Sequence, residues 1–283
     1  MWGEILASDE VEYCASLLSR LGDVPWCKPL VQRVEALWPP KYTDKSFLFE
    51  LRFAAEIHDA GLEAEYEFAA GVGDSTVDFR MVHEGTEWLI ELVSVMTSDA
   101  VREATVEDGL KFSVSLGSGA QDPRQSLAGE MILVQQKIGG KVHANGGPTK
   151  FPPPRMGTRQ LVYADVRGYG ITGGDVWDYR QIAYGPEGLI GSGVPFGAQW
   201  KSPTGEGGGV RGLFQQENTS QRSAQLVRER LHFIGFSAND VYAPGALRAD
   251  TLLLANPGLL LGEGEVRAAY EAYPLRRGWG ERL

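Results

Sequence analysis

Apolar positions at the start of the chain recur at helical spacing. Val11, Ala15, Leu18 and Leu21 share one helical face and Leu30, Val34 and Leu37 another, with Gly22-Asp23-Val24-Pro25 between the runs and Pro39-Pro40 closing the second. Two helices are expected across residues 4–38. A third is expected from about Asp44 to Ala60, capped by Thr43 or Asp44 and stopped by Gly61. Its buried face would carry Phe47, Leu51, Ala54, Ile57 and His58, with Glu50 on the margin and Glu56 pointing the opposite way. The period then changes to two. Residues 65–69, 77–82 and 88–95 read as strands. The second alternates Val77, Phe79 and Met81 with Asp78, Arg80 and Val82; the third is apolar on both faces except at Glu91 and Ser94, as in a central strand covered on both sides. Helical spacing returns over 122–138 through Leu127, Met131, Val134 and Ile138, and a strand follows at 160–166. Residues 185–220 are rich in Gly, Ser, Pro and Gln and read as a long loop. A helix near 220–230, an apolar segment 231–236, a strand 251–255 and a terminal helix near 263–273 complete the chain.

This succession predicts an α/β fold with a mixed central sheet flanked by helices. The expected organisation is an N-terminal helical cap (1–42), an α/β core (43–183), a Gly-rich loop (184–220) and a C-terminal α/β extension packing on the core (221–283). Composition changes the picture mainly by exclusion. Apolar runs such as Leu252-Leu253-Leu254-Ala255 are far too short to cross a bilayer, and the start of the chain has no basic segment followed by an apolar stretch. Two cysteines, Cys14 and Cys27, are too few for a disulfide scaffold, and the four histidines form no metal-binding spacing. A reduced, cytoplasmic protein without a membrane partner is expected. The Gly-rich stretch lacks a P-loop pattern, and Gly191-Ser192-Gly193 lacks the setting of a nucleophile elbow.

Charge bears directly on partners. The net charge is −10, unfavourable for contact with phosphates, but it is unevenly spread. Residues 1–130 carry 10 basic and 24 acidic side chains, 131–182 carry 7 and 3, and 183–283 carry 10 of each. Segment 131–182 is thus the candidate basic surface, with an ordinary solvated face as the plain alternative.

The chemistry concentrates in the strand pair 77–82 and 88–95. A two-residue Glu84-Gly85 loop pairs His83 with Thr86 and, counting outward, Asp78 with Glu91. Directly opposed side chains lie roughly 4.5–5.5 Å apart at Cβ, so two carboxylates there repel unless a cation lies between them. Hard divalent ions take such oxygens, which makes Asp78 and Glu91 candidate metal ligands for Mg²⁺ or Mn²⁺. A register slip of one residue would separate the pair. Glu91 also interrupts an otherwise apolar strand, where an acid needs a partner or a task; a salt bridge to Arg80 or another buried base is the structural alternative.

Residues 44–166 resemble the PD-(D/E)XK, restriction endonuclease-like, nuclease superfamily. The resemblance rests on a helix carrying an acid (Phe47-Leu48-Phe49-Glu50-Leu51), then Val77-Asp78-Phe79-Arg80, then Ile90-Glu91-Leu92-Val93, then a helix and a further strand. It implies an α-β-β-β-α-β core in which Asp78 and Glu91 match the metal-binding acids and Glu50 an acid often found on the first helix. It implies a metal-dependent phosphodiesterase acting on DNA or RNA, approached through segment 131–182. The chain departs from the pattern at Val93, where the family has a lysine. Some members supply it from the following helix, which makes Lys137 the first candidate and Lys141 the second. Without a lysine at the site, the fold would serve as an inactive binding or assembly module, on its own as a homo-oligomer or with a protein partner. An unrelated α/β protein with a structural carboxylate pair is the third reading. Asp165, Gln135 and Tyr163 are weaker candidates for the same crevice, with turn capping or core packing as their ordinary roles.

Overall fold

A computed structural model describes residues 6–70, 74–108, 111–114, 126–143, 149–170, 173–185, 210–216, 218 and 222–275. Residues 186–209, most of the expected Gly-rich loop, lie outside the described residues, as do 115–125 at the start of the helix expected over 122–138.

The N-terminal apolar stripes form α1 (Ser8–Leu21) and α2 (Lys28–Ala36), and α3 (Lys45–Asp59) follows. Next come β1 (Ala64–Ala69), β2 (Thr76–His83) and β3 (Thr86–Ser94). A short α4 (Asp99–Ala104) and a two-stranded hairpin, β4 (Thr105–Asp108) and β5 (Lys111–Val114), interrupt the path in a stretch where no element was expected. The chain continues with α5 (Leu127–Val142), β6 (Thr158–Asp165), α6 (Val176–Tyr184), α7 (Arg222–Arg230), β7 (Phe233–Ser237), α8 (Ala246–Ala249), β8 (Leu252–Ala255) and α9 (Glu263–Glu271).

The fold is α/β, with six strands forming one mixed open sheet in the order β1-β2-β3-β6-β7-β8. β1, β2 and β3 are antiparallel neighbours, β3, β6 and β7 run parallel, and β8 returns antiparallel at the far edge. The segment after residue 221 therefore extends the same sheet. Because β3 and β6 are parallel, the connection must cross the sheet, and α5 makes that crossing.

Side-chain parity sorts the core into two halves. Trp88, Ile90 and Leu92 of β3 pack with Leu161 and Tyr163 of β6 against α1, α2, α3, α8 and α9. Leu89 and Val93 pack with Val162 and Ala164 against α5, α6 and α7. The all-apolar look of β3 follows from this double cover.

α3 departs from the expected one-sided helix. Every residue from Leu48 to Ile57 is buried, whereas His58, expected inside, is exposed and Phe47 is half-buried. The helix lies between the sheet and a layer made by α1, α2 and α8, so no flank of it faces water over those three turns. Its charged residues need partners as a result. Glu56, expected to point outward, is buried against the Arg248 guanidinium of α8. Arg52 lies 3.5 Å from Glu10 of α1 and donates to the Asn239 carbonyl.

Candidate functional site

The β2–β3 hairpin has the register counted from its turn. Glu84 and Gly85 both have positive φ, 47° and 77°, and His83 faces Thr86. This is the primed two-residue turn that matches strand twist. The ladder runs outward to Phe79↔Ile90 and stops there, one step short of Asp78 and Glu91. On the other flank the β1–β2 ladder skips the position where Glu67 would face Asp78, and Glu67 has φ 51°. Phe79 belongs to the α3 half of the core and Val77 to the α5 half, so β2 turns over at Asp78. The Asp78 carboxylate replaces the lost ladder contact by accepting from the Leu92 N–H at 2.6 Å. The strands thus part where the two acids stand.

Asp78 and Glu91 are brought together by a shared cation. The Lys141 ammonium lies 3.5 Å from Asp78 Oδ2 and 3.2 Å from Glu91 Oε2. Lys150 Nζ donates to Glu91 Oε1 at 3.0 Å. Arg80, the base first weighed for Glu91, binds Glu65 of β1 and Glu87 of β3 instead. Lys137, the first lysine candidate, is exposed on α5, one helical turn before Lys141. Lys150 was missed; it lies in the connection after α5, and its backbone N–H donates to the Val142 carbonyl at 2.9 Å. Nothing in the sequence around Lys150 distinguishes it from a surface lysine.

Glu50 joins from the α3 side. Tyr66 of β1, also missed, donates its hydroxyl to Glu50 Oε2 at 2.7 Å and accepts from Arg33 at 3.1 Å. Burial, reinforced by the Asp78 charge, pushes the Glu50 carboxyl up to about 7. Burial and Asp78 likewise push Glu91 up to about 7, against the pull of Lys141 and Lys150. Burial works to lower Lys141, but Asp78 and Glu91 outweigh it and hold the ammonium protonated above its ordinary value. Three acids and two ammonium groups therefore cluster where β2 and β3 part, with two carboxyls poised near neutrality. Clustered groups with perturbed titration mark candidate functional sites.

The Glu50 shift gives a signed prediction. Its folded value lies above the unfolded value of 4.5, so the folded state holds the proton longer and stability falls as pH rises from about 4.5 to about 7. Glu50→Gln keeps an acceptor for Tyr66 and removes the buried charge. The variant is expected to be more stable than wild type at pH 8 by about 3 kcal/mol, with little difference at pH 4.5. Thermal unfolding at both pH values checks this; an equal or lower midpoint at pH 8 would count against a charged, buried Glu50.

The other candidates lie elsewhere. Glu91 pairs with Val162 and Ser94 with Asp165, so alternation puts Asp165 on the α3 face, opposite to Glu91. There Asp165 is bound by Arg167 in a fork, with Nη2–Oδ2 2.6 Å and Nε–Oδ1 2.8 Å. Tyr163 is on that same face, packed on Phe49 and Phe53, with its hydroxyl 2.7 Å from Thr251. Gln135 faces the α5 half of the core and donates to the Ile182 and Arg211 carbonyls. Cys14 and Cys27 are buried free thiols, each pushed up to about 12 by burial, which leaves little thiolate. Of the cations in 131–182, Lys141, Lys150, Arg155 and Arg167 are each paired with an acid of the fold.

A hard divalent ion suits the donor set. Glu91 Oε2 is buried and accepts no hydrogen bond, and it converges with Asp78 Oδ2 on one point. Among the described residues no group of three or more His, Cys, Asp or Glu could hold a metal. Mg²⁺ is commonly held by one or two carboxylates and keeps several waters, so two carboxylates are a donor set it uses. Among the described residues no helix is long and apolar enough to cross a membrane. Comparison with protein-family models, curated proteins and solved structures returns no match.

Proposed function

We propose that the protein is a metal-dependent phosphodiesterase of restriction endonuclease-like architecture, acting on DNA or RNA. The observation that carries this reading is the convergence of Asp78, Glu91 and a lysine where β2 and β3 separate. The element order α3-β1-β2-β3-α5-β6 supports it, since it follows the α-β-β-β-α-β core with α4 and the β4–β5 hairpin inserted.

In this reading Asp78 and Glu91 hold Mg²⁺. Once bound, the ion polarises a phosphoryl oxygen and lowers the pKa of a water. Asp78 is oriented by the Leu92 N–H and Glu91 by Lys150, so both carboxylates are fixed before any ligand arrives. An ammonium group on Lys141 offsets negative charge developing on phosphate oxygens, the task of the lysine absent at position 93. Glu50, raised to about 7, can take a proton at neutral pH, with Tyr66 fixing the oxygen concerned.

The test is calorimetric titration of Mg²⁺ and Mn²⁺ together with cleavage assays on a mixed DNA and RNA pool. Cleavage that requires the divalent ion and stops on chelation is expected. Rate should rise with pH through about 7 at low Mg²⁺, as Glu50 and Glu91 lose their protons. Raising Mg²⁺ should move that limb to lower pH, because the ion competes with the proton on Glu91. A limb insensitive to Mg²⁺ in Glu50→Gln, where Glu91 alone shapes it, would remove Glu91 from the metal site. Neither binding at millimolar ion nor cleavage would sink the catalytic reading.

A second reading is an inactive binding module. It is favoured by Lys141 bridging both acids, a contact that satisfies the carboxylates without a metal. Metal binding without cleavage of any nucleic acid in the pool would favour it.

A further inference from the structure

We propose that Lys141 is a built-in counter-ion for the Asp78–Glu91 pair, which a divalent cation must displace, so that metal loading and release of the Lys141 ammonium are one exchange. The inference rests on Asp78 and Glu91 being the metal ligands.

The two oxygens of Glu91 are held differently. Oε1 accepts a hydrogen bond from Lys150 at 3.0 Å. Oε2 is buried, accepts none, and has only the Lys141 charge at 3.2 Å. Asp78 Oδ2 lies 3.5 Å from the same nitrogen while its strong contact, at 2.6 Å, is to the Leu92 N–H. Lys141 therefore occupies the point of convergence without short hydrogen bonds, beyond the roughly 2.7–2.9 Å of a charge-assisted one. A Mg²⁺ ion would lie at about 2.0–2.1 Å from the oxygens it takes. Ion and ammonium cannot share the point, because like charges so close repel strongly in a half-buried site.

Lys141 is also the cation placed to leave. It is in the last turn of α5, directly after Gly139-Gly140, and its side chain is 29% exposed. Lys150 keeps its hold on Oε1, so Glu91 stays oriented through the exchange. The displaced ammonium remains beside the ion with no acid of its own, which favours an anionic ligand. Metal and phosphodiester should consequently reinforce each other's binding, as linkage requires.

Mn²⁺ titrated calorimetrically into the full chain tests the exchange, with wild type beside Lys141→Met and Lys28→Met, the last an exposed lysine on α2. Lys141→Met is expected to bind about three- to tenfold more tightly than wild type, the scale of one part-exposed ion pair removed. Lys28→Met is expected to match wild type. Equal or weaker binding by Lys141→Met, with wild type binding normally, overturns the exchange and leaves the metal reading standing. No binding by any of the three overturns both. A readout on the unaltered chain guards against a misfolded variant. Pulse labelling with an amine-reactive ester, read by peptide mass, is expected to show Lys141 labelling rise several-fold at saturating Mg²⁺ while Lys28 stays constant. An unchanged Lys141 rate in protein that binds the ion by calorimetry overturns the exchange.

Discussion

Asp78→Asn and Glu91→Gln are each expected to lower metal-dependent phosphodiester hydrolysis by about a thousandfold, the scale of losing a group that stabilises developing charge. The substitutions are chosen to spare the fold. The amide of Asp78→Asn retains an oxygen for the Leu92 N–H, which Asp78 accepts at 2.6 Å, and the amide of Glu91→Gln retains one for Lys150. Circular dichroism unchanged from wild type, with activity gone, is the expected combination. Activity within tenfold of wild type in either variant would mean that the acids are structural, and the lysines around them merely their counter-ions. Double substitution should add little to either single loss, because groups acting as one unit are not additive.

The largest expected effect on stability lies on the other side of the sheet. Arg167 donates to Asp165, to Glu10 of α1 at 2.8 Å and to the Tyr242 hydroxyl at 2.8 Å, with all three acidic and basic side chains almost fully buried. Arg167→Ala leaves Glu10 and Asp165 buried without this partner and is expected to cost about 3–5 kcal/mol in urea unfolding. Arg167→Lys should recover only part of the loss, because an ammonium cannot reproduce the two-pronged contact to Asp165. Burial would raise the Asp165 carboxyl, but Arg167, Lys45 and Arg52 overcome it and hold the group well below the usual carboxylate range. With a folded value below the unfolded one, the contribution is present above the ordinary carboxylate pKa and lost only as pH falls through the depressed folded value. Wild type should therefore keep this increment into acid. A loss below about 1 kcal/mol in Arg167→Ala would show the cluster to be dispensable.

What was legible in the sequence follows from what is local. The Glu84-Gly85 turn set the register as far as Phe79 and Ile90, the last pair before Asp78 and Glu91, since a primed two-residue turn leaves one register; that β2 leaves the ladder at Asp78 was not legible. Glu91 announced itself because an acid within an apolar strand has no cheap explanation. The lysine that meets the acids is the second candidate, Lys141, and not Lys137. Lys137 and Lys141 share a helical stripe, and what separates them is an axial offset of about 6 Å, which only the packing of α5 on β3 decides. Lys150 gave no signal, because its position depends on how the connection folds back onto Val142. Asp165 was misdirected for a related reason: the register between β3 and β6 is not local, and one residue of parity moves a side chain to the other face. The enclosure of α3 was equally invisible, since helical periodicity reports one buried stripe and cannot count the neighbours that arrive from distant segments.

That enclosure constrains how the chain can be made. Arg52 of α3 meets Glu10 from the first helix and Asn239 from beyond β7, and Glu56 waits for Arg248. In a chain made in order, α1 and α2 are present to cover one flank of α3 from the start, whereas Asn239 and Arg248 arrive nearly two hundred residues later. The hairpin that bears the acids can form early from contacts near in sequence, whereas the half of the core that supports Glu50 closes last. Full enclosure of α3, and of Glu50 with it, therefore depends on residues nearly two hundred positions further along the chain.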